Sequence, residues 1–210
     1  MSNQTIYDSL KNSGMTVEGV CALMGNMMGE SRMKSNVVQI GMSKLTDEQY
    51  TAAADNSLMD FVHDSIGYGL CQWTHWERKQ RLLDFAKKER KSIGDEDMQV
   101  RYCIYELKNF YPNVFKALCT STDLYYLTQY VCVNYEQPKY NNVSDRYKYA
   151  QSFLQMAHSQ TPKPKIDKYI LVIQAVMAGD GYWDIGQIDG VRSDLFKQKL
   201  LEYANDVASI

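Results

Sequence analysis

The sequence has no run of about 18 apolar residues, so no membrane-spanning helix is expected. Its opening residues, Met1-Ser2-Asn3-Gln4-Thr5, carry neither the basic nor the apolar stretch of a secretory signal, and none is expected. The cysteines Cys21, Cys71, Cys103, Cys119 and Cys132 form no Cys-x-x-C pair, and the histidines His63, His75 and His158 are dispersed. A metal site built on them is therefore not expected, and nothing in the sequence calls for a cofactor. An odd number of cysteines cannot pair fully, so reduced and mostly buried thiols are expected, as in a chain made in a reducing compartment. Charge of one sign is also lacking: 23 Lys and Arg stand against 25 Asp and Glu. Without bulk basicity to neutralise a phosphate backbone, nucleic acid is not an expected partner. The run Lys87-Lys88-Glu89-Arg90-Lys91 has acid interleaved and reads as a solvated helix face.

What is present is an ordinary globular composition, 45% hydrophobic and 23% charged over 210 residues, enough for one domain plus a small appendage. Apolar residues at Ile6 and Leu10, then at Val17, Val20, Cys21, Met24, Met27 and Met28, recur at helical spacing, with Gly14 as a stop and Thr16 as an N-cap. The second of these helices ends near Glu30-Ser31, which puts Glu30 on its last turn. Gly25 and Gly29, four apart, leave a strip of that helix without side chains, where another segment or a ligand can approach closely.

Between about 36 and 66 the periodicity weakens, and irregular structure with one or two short strands and a short helix at 47–54 is expected. Helical spacing returns at Trp76–Phe85, Met98–Leu107, Leu124–Val131 and Val143–Met156. The fold class expected is mainly α, a lysozyme-like α+β domain over 1–157 with a small irregular or β lobe. Pro162 and Pro164 mark an extended linker at 158–165, and 166–210 reads as a small helical unit.

Three elements carry candidate chemistry. A glycosidic bond is cleaved by a carboxylic acid that keeps its proton until the leaving oxygen takes it, which requires partial desolvation. Glu30 follows Gly25-Asn26-Met27-Met28-Gly29 at the end of a strongly apolar helix and has such surroundings, although a Glu near a helix end is ordinarily a surface carboxylate. In Gly67-Tyr68-Gly69-Leu70-Cys71-Gln72-Trp73-Thr74 the glycines let backbone pass close to a ligand, and Gln72 offers donor and acceptor to sugar hydroxyls and N-acetyl groups. Trp73 and Trp76 offer flat faces to pyranose rings; a hairpin with core aromatics fits the same residues. Third, Pro138 ends a helix and leaves Tyr135 and Glu136 at its rim.

In this order the three elements resemble the phage tail lysozyme family, a branch of the lysozyme-like fold found in tail lysins, endolysins and cell-wall hydrolases. The resemblance spans about residues 5 to 157. It rests on Gly25-Asn26-x-x-x-Glu30-Ser31, Asp64-Ser65-x-Gly67-Tyr68-Gly69-Leu70-x-Gln72-Trp73-Thr74, Arg78-Lys79-Gln80-x-Leu82-Leu83 and Tyr135-Glu136-x-Pro138. It implies Glu30 as catalytic acid and a glycan cleft bordered by the Gly-Leu-x-Gln segment, whose counterpart lies in goose-type lysozymes and lytic transglycosylases. Where members often carry Gly-Phe-Asn-Pro after Glu-Ser, this chain has Arg32-Met33-Lys34-Ser35.

The implied activity is muramidase cleavage of peptidoglycan, with Tyr68, Gln72, Trp73, Tyr135 and Glu136 contacting the glycan. Asp64 is the first candidate for a second carboxylate and Glu136 the next. A carboxyl separation of about 5 Å would predict retention of configuration, and about 6.5–9.5 Å inversion. Alternatives are a lytic transglycosylase on the same bond, a chitin-cleaving relative, and a non-catalytic wall-binding or tail structural protein. Peptidoglycan strands are the expected partner, with phage tail components possible and a membrane not expected; such a protein is made in the host cytoplasm and acts on the wall. Asp180-Gly181-Tyr182-Trp183 and Ile188-Asp189-Gly190-Val191-Arg192-Ser193 more weakly resemble a peptidoglycan-binding helical module.

Overall fold

The computed structural model describes residues 3–138, 142–160, 168–180 and 194–207, which fall into two compact units, Met1–His158 and Ser159–Ile210. The first unit holds helices α1 (Asn3–Asn12), α2 (Val17–Ser31), α3 (Asp47–Asp55), α4 (Trp76–Glu89), α5 (Glu96–Phe110), α6 (Pro112–Thr120), α7 (Leu124–Val131) and α8 (Val143–Gln160). A short π-helical segment, Cys132–Glu136, continues α7.

The first unit is organised around α2. Thr16 caps it, its hydroxyl accepting from the Gly19 amide at 2.9 Å. From Gly19 to Met27 every residue is buried, as expected of a helix that is apolar on all sides. Each fully buried Leu or Met there contributes roughly 1.5–3 kcal/mol relative to exposure. Gly25 and Gly29 receive α8: a Cβ at Gly25 would lie 2.6 Å from the Arg146 carbonyl oxygen and 2.8 Å from the Ala150 Cβ. The strip without side chains is therefore occupied by a helix.

After α2 the chain turns through two consecutive left-handed residues, Arg32 (φ 55°) and Met33 (φ 62°), into the irregular lobe. No sheet forms among the described residues; isolated antiparallel bridges join Val38 to Tyr68 and Tyr68 to Trp73. The short strands expected in this lobe are thus single bridges, and the capped helix α3 and a buried polar cluster hold it instead. Thr46 and Gln49 form a reciprocal capping box on α3. Gln99 of α5 is buried: it donates to the Ser35 and Ile93 carbonyls, both at 2.6 Å, and accepts from the Leu70 amide at 2.9 Å.

In the second unit, α9 (Lys168–Gly179) and α10 (Asp194–Val207) bury Ile170, Met177, Ala178 and Phe196 in a small core of their own. Residues 181–193, which carry most of the likeness to a wall-binding module, and 161–165 of the expected linker lie outside the described residues. No helix among the described residues is long and apolar enough to cross a membrane.

Candidate active site

A cleft of about 1250 Å³ opens in the first unit between the end of α2, the irregular lobe, the start of α4 and the end of the π-helical segment. Glu30, Gln72, Trp76, Tyr135 and Glu136 all line it. Three residues expected at the site are not among its lining residues: Asp64, Tyr68 and Trp73.

Glu30 stands on the last turn of α2, its side chain 15% exposed. Arg146 of α8 donates from Nη2 to Glu30 Oε1 at 2.5 Å and from Nη1 to the Asn26 carbonyl and Oδ1, each at 3.2 Å. Asn26 in turn donates to the Ala22 and Thr128 carbonyls at 2.9 and 3.2 Å. The Gly25-Asn26-x-x-x-Glu30 motif is therefore one device: glycine admits α8, asparagine seats the arginine, and the arginine holds Glu30. Burial works against the charge of Arg146, but the facing Glu30 outweighs it and holds the guanidinium pKa above its ordinary value.

Glu136 is the second carboxyl of the cleft. Both of its oxygens are buried and neither has a hydrogen-bond partner. Burial above all, and then the negative charge of Glu30, push its pKa well above the ordinary carboxylate range against the opposing charges of Arg78 and Arg146.

Arg78, which acts on Glu136, belongs to a cluster centred on Glu106. Arg78 binds Glu106 with two parallel bonds of 2.8 Å. Trp73 Nε1 and Tyr135 Oη donate to the same carboxylate at 2.9 and 2.7 Å. Burial alone would raise the Glu106 carboxyl, but the bonds and charge of Arg78, with those of Trp73 and Tyr135, hold it below its usual value. Arg78 also lies 4.6 Å from the Tyr135 ring centre and donates to the Tyr135 carbonyl at 3.3 Å, so it fixes the segment bearing Glu136.

Trp73, expected at the substrate, is instead fully buried because its indole nitrogen serves Glu106. Tyr68 is buried likewise, stacked on Tyr50 at 5.5 Å and edge-on to Phe61 at 5.6 Å, with its hydroxyl 2.6 Å from that of Thr51. Asp64 is turned away from the cleft. It pairs with the buried Lys79, accepts from Tyr50 Oη at 2.5 Å and caps the Ile66 amide at 2.9 Å, so its charge is consumed in holding the lobe to α4. Gln72 does line the cleft, but its amide nitrogen donates to the Val37 and Gly69 carbonyls at 3.2 and 3.1 Å and braces the turn. Gly69 (φ 75°) has no room for a side chain, since a Cβ there would lie 2.6 Å from the Gln99 amide.

Trp76 presents an exposed indole in the cleft, 50% exposed and flanked by the exposed rings of His63 and His75 at 6.2 and 6.0 Å between ring centres. Ile40, 96% exposed, and Met42 also line the cleft. Sequence reasoning missed Arg146 and Glu106, and it quoted Arg78 within a motif without giving it a role. The glycine strip signalled that something packs on α2, without identifying it. No group of three or more His, Cys, Asp or Glu able to hold a metal occurs among the described residues. The cysteines are free thiols, four of them buried. A family model described as phage tail lysozyme matches residues 2–156.

Proposed function

The chain belongs to the phage tail lysozyme family, a membership that carries lysozyme-like hydrolysis of peptidoglycan, and from that premise we propose a muramidase acting between N-acetylmuramic acid and N-acetylglucosamine with Glu30 as acid. The observation that carries the proposal is the position of Glu30: a largely shielded carboxyl at the end of an apolar helix, on the wall of a cleft of about 1250 Å³. Glu30 protonates the glycosidic oxygen as the bond to the anomeric carbon breaks, and the electron pair of that bond leaves with the oxygen. Water then adds its hydroxyl to the oxocarbenium-like centre and gives up its remaining proton, which restores the acid form of Glu30. Trp76 supplies the flat face against which a pyranose ring lies, while Gln72 and the Tyr135–Glu136 segment form the wall beside the bond.

Glu30→Gln is expected to lower turnover on purified peptidoglycan by at least about a hundredfold, the contribution of a positioned acid, with the fold retained but the melting temperature lowered, since the buried Arg146 loses its counter-charge. Substantial residual activity in that variant would remove the assignment. With Asp64 paired to Lys79, a transglycosylase using Glu30 as acid and then base is the second reading. Mass spectrometry of the digest separates the two, because hydrolysis leaves reducing ends and a transglycosylase leaves 1,6-anhydro ends. Clearing of a Gram-positive wall suspension by the unmodified chain distinguishes either enzyme from a non-catalytic wall binder.

A further inference from the structure

Three arginines line the cleft, Arg32, Arg78 and Arg81, and the charge of two of them is met inside the protein. Arg78 is bonded to Glu106, and Arg81 pairs with Glu77 at 3.2 Å and lies 4.1 Å from the Phe110 ring centre. Arg32 makes no ion pair among the described residues. Its guanidinium is exposed and donates from Nη1 to the Tyr149 hydroxyl at 2.6 Å, with the Tyr149 ring centre 5.6 Å away. Asp145 feels its charge but is bonded to Lys148 at 3.2 Å and to Asn142 at 2.5 Å instead. The position of Arg32 is also fixed from within. Arg32 and Met33 leave α2 in the left-handed conformation, which costs a residue with a side chain roughly 1–2 kcal/mol. The Arg32 amide bonds to the Met28 carbonyl at 3.2 Å and Met33 is buried in the core, so the turn holds and leaves Arg32 outside, two residues after Glu30. A planar guanidinium restrained on one side by a tyrosine, with its other N–H groups unengaged among the described residues, matches the two oxygens of a carboxylate.

On the muramidase reading of this cleft, we propose that Arg32 binds a carboxylate of the substrate, on the lactyl group of N-acetylmuramic acid or on the peptide attached to it, and so selects muramic-acid strands over neutral amino-sugar polymers. N-acetylmuramic acid carries at its O3 a lactyl ether that ends in a carboxyl group. That group is either free or amide-linked to a short peptide with carboxylates of its own, whereas a chain of N-acetylglucosamine alone has neither. Arg32 shares the cleft wall with the acid that attacks the bond, at the end of the same helix, so an anion bound there registers the muramic acid against Glu30.

The test is a cycle on the full chain: KM and kcat of the unmodified protein and of Arg32→Gly, on soluble glycan–peptide fragments whose carboxylates are free or converted to amides. Glycine suits the left-handed backbone at this position, so the substitution removes the guanidinium and leaves the turn. On the free-carboxylate fragments Arg32→Gly is expected to raise KM about tenfold, the scale of a charge-assisted contact, with most of the loss in KM rather than kcat. Amidation should raise KM of the unmodified protein by a similar factor and leave that of Arg32→Gly nearly where it was. Amidation that affects both proteins equally, or neither, would overturn the proposal, because a merely structural role of Arg32 lowers activity on both substrates alike. Fragments stripped of peptide identify the source: a difference that persists on them assigns the lactyl carboxylate, and one that vanishes assigns the peptide. If none of the fragments is turned over, calorimetric Kd values for the same four combinations decide in the same way. Activity retained by Glu30→Gln would defeat the reading of Glu30 as acid and leave this comparison intact.

Discussion

At position 25 a single methyl group would meet backbone, whereas at position 29 it would meet only the stem and head of an arginine. Gly25→Ala places a Cβ 2.6 Å from the Arg146 carbonyl oxygen and 2.8 Å from the Ala150 amide. The clash is expected to exceed the ~1 kcal/mol that alanine gains in helix propensity, for a net loss of roughly 1–2 kcal/mol in urea denaturation. Gly29→Ala meets Arg146 Cγ at 3.1 Å and Nη1 at 3.3 Å. There the guanidinium shifts rather than the helix, so stability should hold while turnover falls as Glu30 loses its partner; equal turnover in the two proteins would count against Arg146 as the group that orients Glu30. Glu136 makes a prediction of a different kind. Its folded-state pKa is raised, so the folded protein holds a proton that the unfolded chain has released above about pH 4.3. Stability contributed by this residue is thus undiminished below that value and falls as pH rises towards the folded pKa. Glu136→Gln should therefore melt higher than the unmodified protein at pH 7 to 8, by about 2–4 °C for each kcal/mol relieved, with the difference vanishing near pH 4.

The elements show which parts of the fold were legible before any coordinates. Helices α1, α2, α4, α5, α7 and α8 are visible in the sequence because each buries one face or more, and burial leaves a 3.6-residue rhythm. Helix α6 was not foreseen, although Pro112 stands at its first turn, where proline favours a helix start. The irregular lobe misled in the opposite direction. Its short, punctuated apolar pieces suggested one or two strands, but pairing stops at the single bridges of Tyr68 with Val38 and with Trp73, and the Tyr68 and Trp73 rings are buried in the core. What stabilises the lobe was illegible because its partners are far apart in sequence: Asp64 with Lys79, and Gln99 with Ser35 and Leu70. At the site the same rule applies. Glu30 is readable from its local motif, whereas its dependence on Arg146, 116 positions away, is not. The Lys79 anchor is open to test. Its side chain is fully buried, and burial pulls its pKa down despite the opposing charge of Asp64. Lys79→Met removes the cation and strands the Asp64 carboxylate, which should cost about 3–5 kcal/mol of unfolding free energy. Lys79→Met with Asp64→Asn should recover part of that loss, and a double variant no better than the single would show that the pair is not the anchor.

Over the whole molecule, every residue assigned to the cleft lies between Gly29 and Pro138, within the first compact unit, and the family match ends at residue 156. The first unit has its own core, running from Ile6 through Phe153, and the second a separate one of Ile170, Met177, Ala178 and Phe196. A core that size is small for independent stability, and helices α9 and α10 leave Val172, Leu195 and Leu201 exposed. We propose that 1–157 is the catalytic domain and 166–210 an accessory unit that holds the enzyme on the wall. Tethering of that kind raises the local concentration of substrate without altering the chemistry. A chain ending at His158 is therefore expected to fold cooperatively and to cleave short soluble glycan fragments at a rate within about twofold of the full chain, while its co-sedimentation with insoluble wall falls by about tenfold or more. Unchanged sedimentation would make 166–210 a structural appendage. Loss of the melting transition would mean instead that the catalytic domain depends on those residues to fold.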